Sequence, residues 1–540
     1  MDRRSAGTRE IAAEALDLGG VADVARRGAR LTLSKNARER MQSSRVRVER
    51  IASGEEAVYG VTTGFGALAT TRIPPEERRQ LQHALLRSHA AGMGPYVEPE
   101  VVRAMMAIRA KTLCAGYSGV RVEIARALVE LLNSGIVPAV PEHGSLGASG
   151  DLAPLAHVGL CLTGEGWVLD DEEVAPAADA LRRAGLEPVS LEVKEGLALV
   201  NGTDGMLGML TLALEDLTLL VETAELTAAM SIEALLGTDR VYREELHRLR
   251  PHPGQLESAR HIYRLLAGSE IVASHRASPH LVQDAYSLRC TPQVYGAARD
   301  TLRFCREVAE RELSSVTDNP LVLEDGSVES CGHFHGEPVA FALDFLAIAA
   351  SEVGAITERR IDRMLDPARS QGLPPFLAPH AGTDSGFMVA HYTAASLAEE
   401  NRRLAGPAST GSLPTSAMQE DHVSMGWSAG RKLRRVLDNL CGILAVEALC
   451  AAQALDLRSP LKPAAATEAA RRRIRREVPF MRHDFPLHTH LKRLSEIVRS
   501  GELLEAVEKA DEPAPRPSDG RAGRGGVGGG PALHRYHGEG

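Results

Sequence analysis

LGMLTLALEDLTLLVETAELTAAMSIEALLG, residues 207–237, contains no proline and repeats apolar residues at three- and four-residue spacing. That period belongs to a helix, so the stretch predicts one continuous helix. At 1.5 Å per residue it forms a rod of roughly 45 Å, which needs neighbours to bury its faces. The same pattern returns over 336–364, 385–404 and 427–457, again almost without proline. Rods of this length bundle together, and the fold class that follows is all-α.

Shorter segments fill in the organisation. VEIARALVELLNSG (122–135) sets Ile124, Leu128 and Leu131 on one face and stops at Asn133-Ser134-Gly135. Strand signals are few: GWVLD (166–170), SLEVKEG (190–196) and LVLEDGSVES (321–330), the last read as a hairpin on a two-residue Asp325-Gly326 turn. The expected layout is a mixed N-terminal region over 1–200 with glycine-rich loops, a central long-helix bundle over 201–460 and a helical region over 461–510. Residues 511–540 are so rich in Pro and Gly that a disordered tail is expected there.

A net charge of −9 gives no electrostatic footprint for nucleic acid, and 44% hydrophobic with 25% charged residues is an ordinary globular balance. The most apolar runs meet a charge before the ~20 residues a membrane span requires, so no membrane association is expected. Seven cysteines, scattered singly with no CxxC pair, read as reduced thiols in a cytoplasmic protein.

Two familiar motifs misfire. GFGALA (64–69) has dinucleotide-loop spacing but runs into Pro74-Pro75, which disfavours the helix that must receive a pyrophosphate. GASGD (147–151) resembles a nucleophile elbow without its second glycine, so Ser149 needs another explanation. HFHGE (333–337) and RHDFPLHTH (482–490) lack the spacing of zinc motifs, and no metal is expected at either. The basic run RRRIRREV (471–478) reads as a solvated helix face or a subunit contact.

What remains is a series of polar and aromatic groups inside bland segments, in this order: YGVTTGFG (59–66), LLRSHAAG (85–92), GSLGASGDLAPLAH (144–157), KEGLALVNGT (194–203), QDAYSLRCTPQV (283–294), TDNP (317–320), GLPPFLA (372–378) and MQEDHVSMGW (418–427). Singly, each has a bland reading; Asn201 and Asp204, for instance, could cap the long helix that follows. As an ordered set they resemble the aromatic amino acid ammonia-lyase family, and within it the members acting on histidine.

That resemblance implies a fumarase/aspartase-like helical bundle and a cytoplasmic homotetramer with each active site built from three subunits. It also implies a prosthetic group, 4-methylidene-imidazol-5-one, formed from Ala148-Ser149-Gly150 with no external cofactor. Small residues suit that ring closure, in which the Gly150 nitrogen attacks the Ala148 carbonyl and Ser149 loses its hydroxyl. The family roles fall on Tyr59 as the base, Tyr286 near the prosthetic group, and Arg289 with Asn201 and Gln283 on the substrate carboxylate. A tyrosine base, ordinarily of pKa about 10, needs cationic or hydrogen-bonding neighbours to act near neutral pH. Phe334 would shield the methylidene, and His89 with Glu420 would select L-histidine, since a phenyl ring leaves such a pair unmatched at about 1 to 3 kcal/mol.

Two positions depart from the family pattern: His333 stands where Asn is usual, and Tyr295 where an aliphatic residue is usual, each adding an ionisable ring expected near the site. RHDFPLHTHL also fits poorly and is expected to alter a surface. The rival readings are a tyrosine or phenylalanine ammonia-lyase or aminomutase on the same scaffold, and a non-catalytic helical assembly protein. Ser88-His89 and Glu420 argue against the first; intact Ala148-Ser149-Gly150 with Tyr59 and Arg289 argues against the second.

Overall fold

A computed structural model describes residues 10–54, 56–170, 173–277 and 282–511. Six helices build its centre: α1 (Pro99–Cys114), α2 (Asp204–Ala234), α3 (Thr291–Leu313), α4 (Glu337–Leu365), α5 (Met388–Leu404) and α6 (Gly426–Leu457). The fold is all-α, as the periodicity predicts. α2 packs against α1, α3, α4 and α6, and α4 against α3, α5 and α6. Every residue of α2 from Asp204 to Leu214 is buried, so its sequence is apolar on all sides rather than along one stripe.

By length and composition alone, with their few charges tolerated, helices α4 and α6 are each apolar enough to cross a membrane. Most of that apolar surface is buried inside the bundle instead, 83% of the most apolar stretch in α6. The strands are short and peripheral. Val137–Pro138, Trp167–Asp170 and Glu173–Pro176 form a three-stranded sheet, and three two-stranded pairs complete the set among the described residues.

Local boundaries moved for identifiable reasons. α2 begins at Asp204, three residues earlier than its apolar pattern, because the Asp151 carboxylate accepts the Gly205 and Met206 amides, each at 2.9 Å. α5 begins at Met388 rather than 385 because the Asp484 carboxylate holds the Ser385 and Gly386 amides at 2.8 and 2.9 Å. This docking, with His483 Nδ1 3.1 Å from Asp384, is what the unusual RHDFPLHTHL stretch does.

The expected strand at SLEVKEG is not one: Lys194 has φ 72° and precedes a helix, Glu195–Val200. Its alternation comes from buried charges. Lys194 Nζ lies 3.0 Å from Asp318, and Glu195 accepts the Arg121 and Glu192 amides at 2.9 and 2.7 Å. At LVLEDGSVES, Leu321–Val322 pairs with Val328–Glu329, but the Leu323 amide bonds Ser327. The loop is therefore three residues ending at Gly326 (φ 94°), not two. The run RRRIRREV is internally paired, Arg471 and Arg475 with Asp456 and Arg473 with Glu502. The expected tail at 511–540 lies outside the described residues except for its first residue, which ends the helix Glu502–Asp511.

Candidate active site

The Ala148-Ser149-Gly150 loop lies against the entry to α2. Asp151 donates its amide to Gly202 O at 2.7 Å, and its carboxylate takes the helix amides and the Ser145 hydroxyl, the latter at 3.0 Å. Asp151 is fully buried, and burial pushes its carboxyl up to about 7. Gly150 has φ 73°, and a Cβ there would run into the Gly202 carbonyl. Only glycine meets both constraints. On the loop's other side, Ser424 Oγ donates to Gly147 O at 3.2 Å and Met425 N to Leu146 O at 2.9 Å.

Ser149 Oγ donates to Asn201 Oδ1 at 2.5 Å. Asn201 is itself oriented: its Nδ2 donates to Asn319 O at 2.8 Å, and its carbonyl accepts Arg109 at 3.1 Å. Beneath it lie two ion pairs that are almost fully buried, Arg109–Asp204 and Lys194–Asp318. Asp204 is therefore not a helix cap; Asp151 does that work from a distant loop.

Tyr59 is half-buried; its Oη accepts the Gly66 amide at 3.1 Å and its ring packs edge-on to Phe65 at 6.4 Å. GFGALA thus forms a tyrosine-bearing turn with a short 3-10 segment at Gly66–Leu68, not a phosphate loop. The same turn touches the 416–418 segment, since a Cβ on Gly66 would lie 3.3 Å from Ser416 Oγ. Glu420 follows that segment and accepts the Thr415 hydroxyl at 3.0 Å. His89 ends the helix Arg78–His89 with Nδ1 3.0 Å from Ser88 Oγ. Burial holds its imidazole below the usual histidine range, partly offset by a hydrogen bond with Leu85 and by the charge of Glu420. Phe334 is half-buried in the turn before α4; Gly336, two residues on, abuts Met206 and Ser424.

Three predicted residues lie elsewhere. Gln283 and Tyr286 are exposed, and the Arg289 guanidinium sits 4.5 Å over the Tyr286 ring. Asp284 accepts the Thr238 amide at 2.8 Å, and Ser287 O accepts Arg360 at 3.3 Å. These contacts place the segment just beyond the C-terminal end of α2. Ser149 and Asn201 sit at its N-terminal end, and 31 residues separate the two ends by about 45 Å. Within one chain, Arg289 does not reach Ser149. Its Nε is buried without a hydrogen-bond partner.

Of the two departures, His333 is exposed, whereas Tyr295 does not face the Ser149 pocket. Tyr295 is wholly buried, bonded to Thr357 at 3.0 Å and to Arg360, which also pairs with Glu447. Burial pushes its hydroxyl up to about 12. The buried pairs around Asn201 were not anticipated; their signal is charge inside apolar sequence, as with Arg109 in AIRAKTLC.

The aromatic amino acid lyase family profile matches residues 16–476. The chain is 56% identical over 492 residues to the histidine ammonia-lyase of Streptomyces avermitilis, covering 91% of this chain and 96% of that protein. It is 49% identical over 507 residues to that of Sorangium cellulosum, covering 92% and 98%. Among solved structures, the tyrosine aminomutase of Streptomyces globisporus superposes with a TM-score of 0.89 at 39% identity, covering 93% and 98%. The histidine ammonia-lyase of Trypanosoma cruzi gives 0.85 at 38%, covering 93% and 95%. With a profile spanning most of its length and relatives above half identity, the chain belongs to the aromatic amino acid lyase family.

Proposed function

We propose that the protein is a carbon–nitrogen lyase that deaminates L-histidine non-oxidatively to trans-urocanate and ammonia, in the cytoplasm, as a homotetramer with shared sites. What supports the substrate is that the charge of Glu420 is felt at His89, 331 residues earlier in the chain, on segments that both reach the Ser149 loop, Gly92 against Gly144 and Ser424 against Gly147. A neutral imidazole and a carboxylate suit a ring with N–H donors and acceptors, and a phenyl or phenol ring leaves them unmatched. Relatives named histidine ammonia-lyase at 49 to 56% identity agree, while the aminomutase likeness stands at 39%.

The residues present fit a backbone-derived 4-methylidene-imidazol-5-one. Position 150 admits only glycine, Ala148 is small and nearly buried, and the Ser149 hydroxyl is already held by Asn201. Ala148, Ser149 and Gly150 would form that group, which supplies an electrophilic carbon able to take the substrate amine and turn it into a better leaving group. No external cofactor is required.

Arg289 binds the substrate carboxylate as a bidentate partner, assisted by Asn201 and Gln283. His89 and Glu420 hold the imidazole, and Phe334 covers the reacting end. Tyr59, with its oxygen already aligned by the Gly66 amide, removes the β-proton. The electron pair left behind closes the alkene as the Cα–N bond breaks and ammonia departs. Tyr286 stands beside Arg289 and assists proton handling.

Because Arg289 lies about 45 Å from Ser149 in its own chain, it serves the site of another copy. The outer faces of α3 and α4 support such an assembly: Phe304, Phe341 and Phe345 form a contiguous aromatic patch and, like Ile348 one turn from Phe345, are each at least 40% exposed. Intact-mass measurement tests the reading at its root. The purified chain is expected to lack two waters relative to its sequence and Ser149→Ala to lack neither; a wild-type mass equal to the sequence mass rejects the prosthetic group.

A further inference from the structure

His335, Glu337 and His422 come from two segments with no metal-motif spacing between them, yet their donor atoms all lie within 4.8 Å of one another. Among the described residues they are the only such trio of potential ligands. His335 Nε2 is 3.4 Å from His422 Nδ1, with ring centroids at 5.5 Å and planes inclined by 29°. That separation has a second meaning. Zinc bonded to imidazole at about 2.0–2.1 Å in a tetrahedron places two nitrogens roughly 3.3–3.4 Å apart.

Glu337 supplies the third donor. Its Oε2 is buried and has no hydrogen-bond partner, an arrangement that otherwise costs free energy. Two imidazoles and a carboxylate form a borderline donor set that suits a divalent transition ion over calcium or magnesium, with a fourth position left for water. We propose that His335, Glu337 and His422 form a zinc-type divalent cation site. A bound ion cross-links the turn that carries Phe334 to the segment that carries Glu420. The site rests on these three side chains alone and is independent of the proposed reaction.

The test uses full-length protein stripped with chelator, dialysed against ZnCl2 and assayed for bound zinc by mass spectrometry. Zinc at one equivalent per chain is expected, with affinity falling roughly tenfold or more in His335→Ala and in His422→Ala. A second measurement needs no variant: in the wild-type protein, zinc is expected to protect His335 and His422 from diethylpyrocarbonate, mapped by peptide mass spectrometry. Unchanged zinc binding in both folded variants, or equal modification of both histidines with and without zinc, overturns the proposal.

Discussion

A site assembled from opposite ends of α2 in different chains has a quantitative signature in mixed oligomers. Ser149→Ala removes the group at the N-terminal end, and Arg289→Ala removes the carboxylate partner about 45 Å away at the other end. Each variant alone has no complete site. In a random mixture, a site works when its Ser149 comes from an Arg289→Ala chain and its Arg289 from a Ser149→Ala chain. Each condition holds for half of the chains, so roughly one quarter of the sites are intact in a symmetric assembly. Co-expressing the two variants with different affinity tags and purifying through both isolates the hybrids. Deamination at roughly a quarter of the wild-type rate per site is expected. Doubly tagged hybrids as inactive as the parent variants would refute shared sites.

Three further outcomes follow from the same geometry. In Gly202→Ala the new Cβ meets Arg109 and separates it from Asp204, exposing a buried ion pair to loss of about 3–5 kcal/mol; urea unfolding should show this, and a change under about 1 kcal/mol contradicts it. Asp151 binds its proton more tightly folded (about 7) than unfolded (3.8), so its contribution is fully present below pH 3.8 and is lost as pH rises through about 7. Between pH 5 and pH 8 the wild type should lose stability, on the order of 2–3 kcal/mol, relative to Asp151→Asn; parallel pH–stability curves refute it. His89→Leu should cut kcat/KM for histidine by roughly tenfold to a hundredfold while sparing the phenylalanine value, the cost of leaving Glu420 facing an unmatched imidazole; equal losses for both substrates assign His89 a structural role.

The fold was legible where periodicity was strong. Long repeats with almost no proline, Pro338 in the first turn of α4 excepted, located α4 and α6 to within one residue because apolar spacing alone dictates where such rods run. Helix starts were less legible, since α2 and α5 are initiated by carboxylates, Asp151 and Asp484, that arrive from remote segments. Lys194 and Glu195 misled the reading of SLEVKEG for a related reason: buried charges mimic the alternation of a half-buried strand. At the site, the ordered motifs picked out Tyr59, Ser149 and Asn201, but nothing linear showed that Arg109, Asp204, Lys194 and Asp318 brace Asn201 from below. Nor did spacing show that Tyr295 belongs to the Arg360–Glu447 core rather than to the pocket. Partnerships between segments 54 to 124 residues apart exist only once the chain has folded.

The central claim is the reaction itself, and the most direct measurement is near-ultraviolet absorbance of the full-length protein with each aromatic amino acid. Absorbance growth with L-histidine, identified as trans-urocanate with ammonia released in equal amount, and little with tyrosine or phenylalanine, is the predicted result. Growth with tyrosine or phenylalanine in preference to histidine, or none with any of the three, would contradict the account.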